Sequence, residues 1–142
     1  MNNIKLITTD KDILEFENKR EEVFSGTKKY DSIEKTTYGN LIRDGEMLAF
    51  GLYDEENIIG GVLTSVNDST LFIHRLFIDE KNRSKGYGSK LLKYLEDRKR
   101  SIEDYFGFEI DEVIAEPIPS SIRLFYNNDY HYCGDKVYKK LY

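Results

Sequence analysis

Residues 46–78 read EMLAFGLYDEENIIGGVLTSVNDSTLFIHRLFI, apolar, β-branched and aromatic blocks split by DEEN and by NDS. Blocks of this length between polar turn residues predict a three-strand meander, with strands near 46–53, 58–65 and 70–78. Upstream, residues 4–8 alternate enough for a short first strand. TDKDILEFENKREEVF (9–24) then predicts a helix, with Thr9 or Asp10 as its cap and Ile13, Leu14, Phe16 and Val23 as a partial apolar stripe. SIEKTTYGNLIR (32–43) predicts a weaker second helix that carries Gly39.

Beyond residue 78 the period changes. Leu91, Leu92 and Leu95 recur at helical spacing, while Lys90, Lys93, Asp97 and Arg98 take the intervening positions. DEVIAEPIP (111–119) predicts a strand that Pro117 and Pro119, the only two prolines, bring to an end. SSIRLFYNN predicts a short helix from Ser120 or Ser121, and HYCGDKVYKKLY predicts a hairpin turning at Gly134–Asp135. No repeat or linker divides residues 1–142, which are expected to form one domain. Its fold class is α/β (α+β): a mixed, mostly antiparallel central sheet of six to seven strands, flanked by about four helices on both faces.

Composition narrows the function classes. With 39 % apolar and 33 % charged residues in mixed order, the 142-residue chain reads as soluble and globular. A net charge of −5 disfavours nucleic acid as a partner, since non-specific phosphate binding needs surplus Lys and Arg in a patch. The acidity is compatible with amine substrates, although it is also ordinary for a soluble protein. Lone Cys133 excludes an intrachain disulfide and a cysteine zinc site, and no basic cluster marks it as a reactive thiol. No apolar run approaches membrane-spanning length and the N-terminus lacks a signal-peptide pattern, so no membrane role and a cytoplasmic location are expected.

The segment RSKGYGS (83–89) lies between the apolar LFIHRLFI and the helical SKLLKYL. It lacks the third glycine of a dinucleotide-binding fingerprint, and no phosphate-loop GxxxxGK[ST] exists anywhere in the chain. A turn entering a helix N-terminus still presents backbone N–H groups and a positive dipole end to an anion. Gly86 and Gly88 would let a phosphate approach the main chain, and Arg83 and Lys85 would add charge. A tight turn with solvated basic residues has the same composition.

Residues 76–95, LFIDEKNRSKGYGSKLLKYL, resemble the acetyl-CoA-binding motif of the GCN5-related N-acetyltransferase superfamily, Arg/Gln-x-x-Gly-x-Gly/Ala at a strand–turn–helix junction. SIRLFYNNDYHY is similar to the later motif of the same superfamily, and the predicted order of elements matches its acyl-CoA N-acyltransferase fold. The resemblance implies an acetyl-CoA-dependent N-acetyltransferase that acts by direct attack of a primary amine, small molecule or peptide, on the thioester. Acetyl-CoA would be the acyl-donor co-substrate, with no metal. The alternative is a non-catalytic or regulatory acyl-CoA-binding module; a homodimer stays open.

By this resemblance the turn from Arg83 through Ser84, Lys85, Gly86, Tyr87 and Gly88 to Ser89 holds the pyrophosphate. The preceding strand, Leu76–Phe77–Ile78, splays from its parallel neighbour, and the main chain of Leu76 and Ile78 meets the pantetheine arm. Ser121 and Asn127 are further coenzyme contacts; Pro119 stands where many relatives have asparagine, and Ser120 or Ser121 would replace that contact. Tyr126 occupies the position of the frequent catalytic tyrosine and would assist the leaving thiolate. For the general base, His74, Glu116 and His131 compete. Strand alternation puts His74 on the face of Phe72, Leu76 and Ile78, and Glu116 ends the neighbouring strand. Two departures accompany these matches: Ile114 stands where some relatives have glutamate, and Tyr130 where the family has glycine. The acceptor surface is expected from residues 20–45 and the final hairpin.

Overall fold

A computed structural model describes residues 2–27 and 29–141; positions 1, 28 and 142, inside the predicted domain, acceptor segment and hairpin respectively, lie outside the described residues. Seven strands form one mixed sheet. They are β1 (Asn2–Leu6), β2 (Leu48–Asp54), β3 (Asn57–Asn67), β4 (Thr70–Ile78), β5 (Glu112–Ala115), β6 (His131–Cys133) and β7 (Lys136–Lys140), in the spatial order β1-β2-β3-β4-β5-β7-β6. All neighbours are antiparallel except β4 and β5, which run parallel. The helices are α1 (Asp10–Ser25), α2 (Gly39–Arg43), α3 (Tyr87–Asp97), α4 (Lys99–Phe106) and α5 (Ile122–Asn127).

The predicted meander and hairpin are present, and five helices stand where about four were expected. The additional one is α4, in a stretch for which no element was expected from the sequence; Arg98 leaves helical geometry (φ −99°, ψ 11°) and separates it from α3. The weaker second helix is also broken. Thr36 Oγ1 donates to the Ile33 carbonyl and accepts from Gly39 N–H at 2.8 Å, so it ends a 3-10 turn and starts α2 instead of continuing one helix.

Two apolar clusters sandwich the sheet. One contains Leu71 and Ile73 of β4, Leu91, Leu92 and Leu95 of α3, Ile102 of α4, and Val113 and Phe125. The other, built from residues between Ile7 and Phe77, places Ile13 and Phe16 of α1 against the opposite face. Phe16 and Phe77 meet edge to face, ring centroids 5.2 Å apart. Thr9 caps α1 by accepting from Asp12 N–H (3.1 Å), and Gly26, at φ +85°, closes its other end.

Helix α1 also buries charge. Glu17 is fully buried beside the guanidinium of Arg20, with Arg20 Nε to Glu17 Oε2 at 2.9 Å. The second Glu17 oxygen accepts from Tyr38 N–H (2.8 Å), while Asn18 bonds both the carbonyl and the N–H of Tyr30. Buried polar groups with partners of this kind tie the 30–38 segment to α1.

Candidate active site

Strands β4 and β5 pair over only four residues each, Thr70–Ile73 against Glu112–Ala115. Strand β5 stops there because Pro117 and Pro119 follow and proline has no N–H to pair. β4 runs on to Ile78, so its last five residues have no described strand on the β5 side. The expected splay is therefore present, as a cleft of about 390 Å³. His74, Arg75 and Leu76 form one wall, Ala115, Glu116 and Ser121 the other, and Arg20 and Phe24 reach in from α1.

His74 occupies an irregularity that alternation does not anticipate. Leu63 pairs with Arg75 and the next residue, Thr64, with Ile73, so His74 is the extra residue of a β-bulge. The bulge inverts the facing of everything after it. Leu76 and Ile78 pack against the α3-side cluster together with Leu71 and Ile73, whereas Phe77 belongs to the α1-side cluster. The expected shared face of His74 with Leu76 and Ile78 is thus corrected; of the three predicted companions only Phe72 stays with His74, their rings 6.4 Å apart.

His74 is half-buried, and its Nε2 lies 2.6 Å from Ser65 Oγ. Desolvation, and secondarily the charge of Arg75, hold its proton affinity below the ordinary histidine value, with Glu116 opposing. A neutral imidazole in a cleft is equipped to accept a proton. Glu116 is exposed and 3.8 Å from Lys136. His131 lies elsewhere, its ring tilted beside that of Tyr138 in the edge hairpin, and no described hairpin residue lines the cleft.

After β4 the chain makes the predicted turn. Ser84 (φ +63°) and Gly86 (φ +82°) both adopt left-handed backbone, and a Cβ on Gly86 would meet nothing within 4 Å. Gly86 is the N-cap of α3, no side chain caps that terminus, and no acidic residue occupies its first turn. Arg83 and Lys85 are exposed, and Arg83 Nε donates to the Ile78 carbonyl (3.2 Å). A positive helix end left uncapped, next to two cations, suits an anion.

Gly88 has a packing role that its spacing did not suggest. A Cβ there would lie 2.7 Å from a Leu124 methyl, so the missing side chain lets α5 press against the first turn of α3. Asn128 completes that junction by donating to Ser89 Oγ (2.9 Å) and the Leu124 carbonyl. Ser89 is thereby engaged in holding α5, a pairing that sequence spacing gives no means of finding. Asn127 and Tyr126 face the other way, with Pro119, Ile122 and Arg123, around an open depression. Tyr126 is half-exposed and edge-on to Tyr132, and the walls of the cleft that hold His74 and Glu116 do not include it. Ser121 does line that cleft, with its hydroxyl bonded to the Ile118 carbonyl.

The structure resembles solved acetyltransferases across its whole length. Tetrahymena GCN5 superposes with a TM-score of 0.71 at 13 % identity, covering 99 % of this chain and 96 % of that one. The ribosomal-protein-S18-alanine N-acetyltransferase of Escherichia coli gives 0.72 at 14 % identity, with 99 % and 94 % covered. A mutant AtaT toxin bound to the C-terminus of the antitoxin AtaR and to acetyl-CoA gives 0.70 at 15 % identity, again covering 99 % and 94 %. At these identities the likeness is one of fold. No curated protein matches the chain by sequence. The family model for GNAT acetyltransferases, however, matches residues 11–115, from the first turn of α1 to the last residue of β5. With the splayed strands and the turn entering α3 falling inside or beside that span, the chain belongs to the GNAT acetyltransferase family.

Proposed function

We propose that the protein transfers the acetyl group of acetyl-CoA to a primary amine of a small molecule or peptide. One observation carries this reading: β4, the strand that leaves β5 to form the cleft, runs on into the uncapped, left-handed turn at the head of α3, and the cleft wall bears a histidine whose proton affinity is lowered. The residues present fit a pyrophosphate-bearing coenzyme. The turn from Arg83 to Ser89 offers backbone donors and cationic side chains, and the flank of β4 that pairs with no described strand, at Leu76 and Ile78, offers main-chain groups for an amide-bearing arm. Acetyl-CoA bound there would supply an acyl group activated as a thioester.

The chain's own task is to prepare the amine. An aliphatic ammonium has a pKa of about 10, so an acceptor must lose a proton before it can act as a nucleophile. His74 is the group to take it, directly or through a water molecule, and Glu116 can hold the resulting imidazolium from the opposite wall. Tyr126 can donate a hydrogen bond to a leaving sulfur if the reacting thioester extends toward the depression that Tyr126 borders. Holding both partners in one cleft contributes the rest through orientation.

Incubation with acetyl-CoA and a broad amine panel, with free thiol followed from about pH 6 to about pH 9, tests the proposal. Amine-dependent thiol release is the expected outcome. The placement of Tyr126 outside the His74 cleft favours a second reading, an acyl-CoA-binding module without turnover. Coenzyme binding with no amine-dependent release would select that module, and no coenzyme binding would remove both.

A further inference from the structure

The cleft contains a cation that proton transfer does not use. Arg20 and Arg75 both line it, and both guanidinium groups lie over the ring of Tyr38, at 5.0 and 5.6 Å from its centroid. Their charges are balanced very differently. Arg20 is buried and committed to Glu17 (2.9 Å) and Glu21 (3.5 Å). Arg75 is exposed; it donates to the carbonyl of His74 at 2.6 Å, and among the described residues no carboxylate lies within ion-pair distance of it.

We propose that Arg75 anchors an anionic group of the acceptor, so that the substrate is a small primary amine carrying a carboxylate or phosphate a few bonds from its nitrogen. This rests on the transferase reading above. A guanidinium has five donors in a planar fork, and the His74 carbonyl accepts from one nitrogen only, leaving the rest for a bidentate anion. The fork is positioned in advance. Its stacking partner Tyr38 is fixed through its own N–H by Glu17, which the buried pair with Arg20 holds in turn. Such preorganisation lowers the ordering cost of binding. Arg75 is also the chain neighbour of His74, and both face one cleft with Glu116 across it. An anion on Arg75 therefore leaves an amine a few bonds away within reach of the imidazole and the carboxylate. A second cation on the substrate would instead meet Arg75 as a like charge.

The test compares wild type with Arg75→Glu and Arg75→Gln on four small primary amines: glycine, O-phosphoethanolamine, ethanolamine and 1,2-diaminoethane. Comparing each amine between variants cancels differences in amine basicity. Wild type is expected to favour the two anionic amines, and Arg75→Glu to lower their kcat/KM by about 10- to 100-fold, Arg75→Gln by less. The loss for ethanolamine is smaller, and kcat/KM for 1,2-diaminoethane rises in Arg75→Glu. The glycine and O-phosphoethanolamine arms tell carboxylate from phosphate. Equal losses on all four amines, or no wild-type preference for the anionic pair, overturn the anchor and leave the transferase reading standing. If no amine turns over, calorimetric titration of glycine and O-phosphoethanolamine into the protein loaded with coenzyme A decides. Binding to wild type that Arg75→Glu abolishes upholds the anchor although transfer fails; no binding to wild type overturns it.

Discussion

At the scale of single residues, His74 couples chemistry to stability. Burial and Arg75 lower its proton affinity in the folded chain below the ordinary value of 6.5. In the window between the lowered pKa and 6.5 the unfolded chain binds more protons than the folded one. The contribution of His74 is thus fully present above that window and is lost as pH falls through it. Urea unfolding of His74→Gln at about pH 5 and about pH 8 is expected to show a smaller acid loss of stability than wild type; an equal loss would uncouple His74 from folding. In kcat/KM, the acid limb of the wild-type profile should lie below the usual histidine range and should disappear in the variant. Tyr126→Phe is expected to lower turnover by about 10- to 100-fold with coenzyme affinity nearly intact. Unchanged turnover would make Tyr126 a packing residue beside Tyr132.

At the scale of elements, the two glycines of the turn separate into a backbone role and a packing role. Gly86→Ala places a side chain in open space but at φ +82°, at a cost of about 1–2 kcal/mol. Gly88→Leu drives a side chain into Leu124 and forces α5 off α3, an overpacking worth about 1–3 kcal/mol plus the Asn128–Ser89 bond. Thermal unfolding should rank Gly88→Leu as the less stable, and acetyl-CoA titration should find both variants weakened. Equal stability would mean that α5 moves freely. The element order, the meander, the turn at Gly86 and the proline stop of β5 were all legible in the sequence, because each is written in local periodicity or in residues with restricted backbones. The bulge at His74 was not, since it depends on how β3 and β4 register against each other. The Asn128–Ser89 bond and the Glu17–Arg20–Tyr38–Arg75 stack were equally hidden, joining residues far apart in the chain whose types are common on any surface. Thr36 divides the second helix through local hydrogen bonding that a helical stripe does not reveal, and α4 lies beyond Arg98 in a stretch where no stripe was predicted.

At the scale of the molecule, the sheet is joined at its centre by a short parallel pairing, with the α1-side cluster confined to residues between Ile7 and Phe77. A coenzyme seated between β4 and β5 would bridge the two parts of the sheet. At about 100 times its dissociation constant, acetyl-CoA is expected to add about 2.7 kcal/mol of stability and raise Tm by about 5–10 °C. Hydrogen exchange should slow at residues 74–78 and 83–89; protection confined to other segments would place the coenzyme elsewhere. The overall charge of −5 conceals a cleft whose unpaired cation is Arg75, so whole-chain acidity is a poor guide to its acceptor. The bulge has a consequence for how such a site can diversify. Position 74 is supernumerary to the β3–β4 ladder, so its side chain can be exchanged for another acid, base or neutral group while every cross-strand pair stays in register. Deleting that one position would leave Leu71, Ile73, Leu76 and Ile78 on one face by ordinary alternation, so the ladder would lose only the side chain it lends to the cleft. Reaction chemistry at this point is an interchangeable part, carried by a residue that the ladder itself does not need.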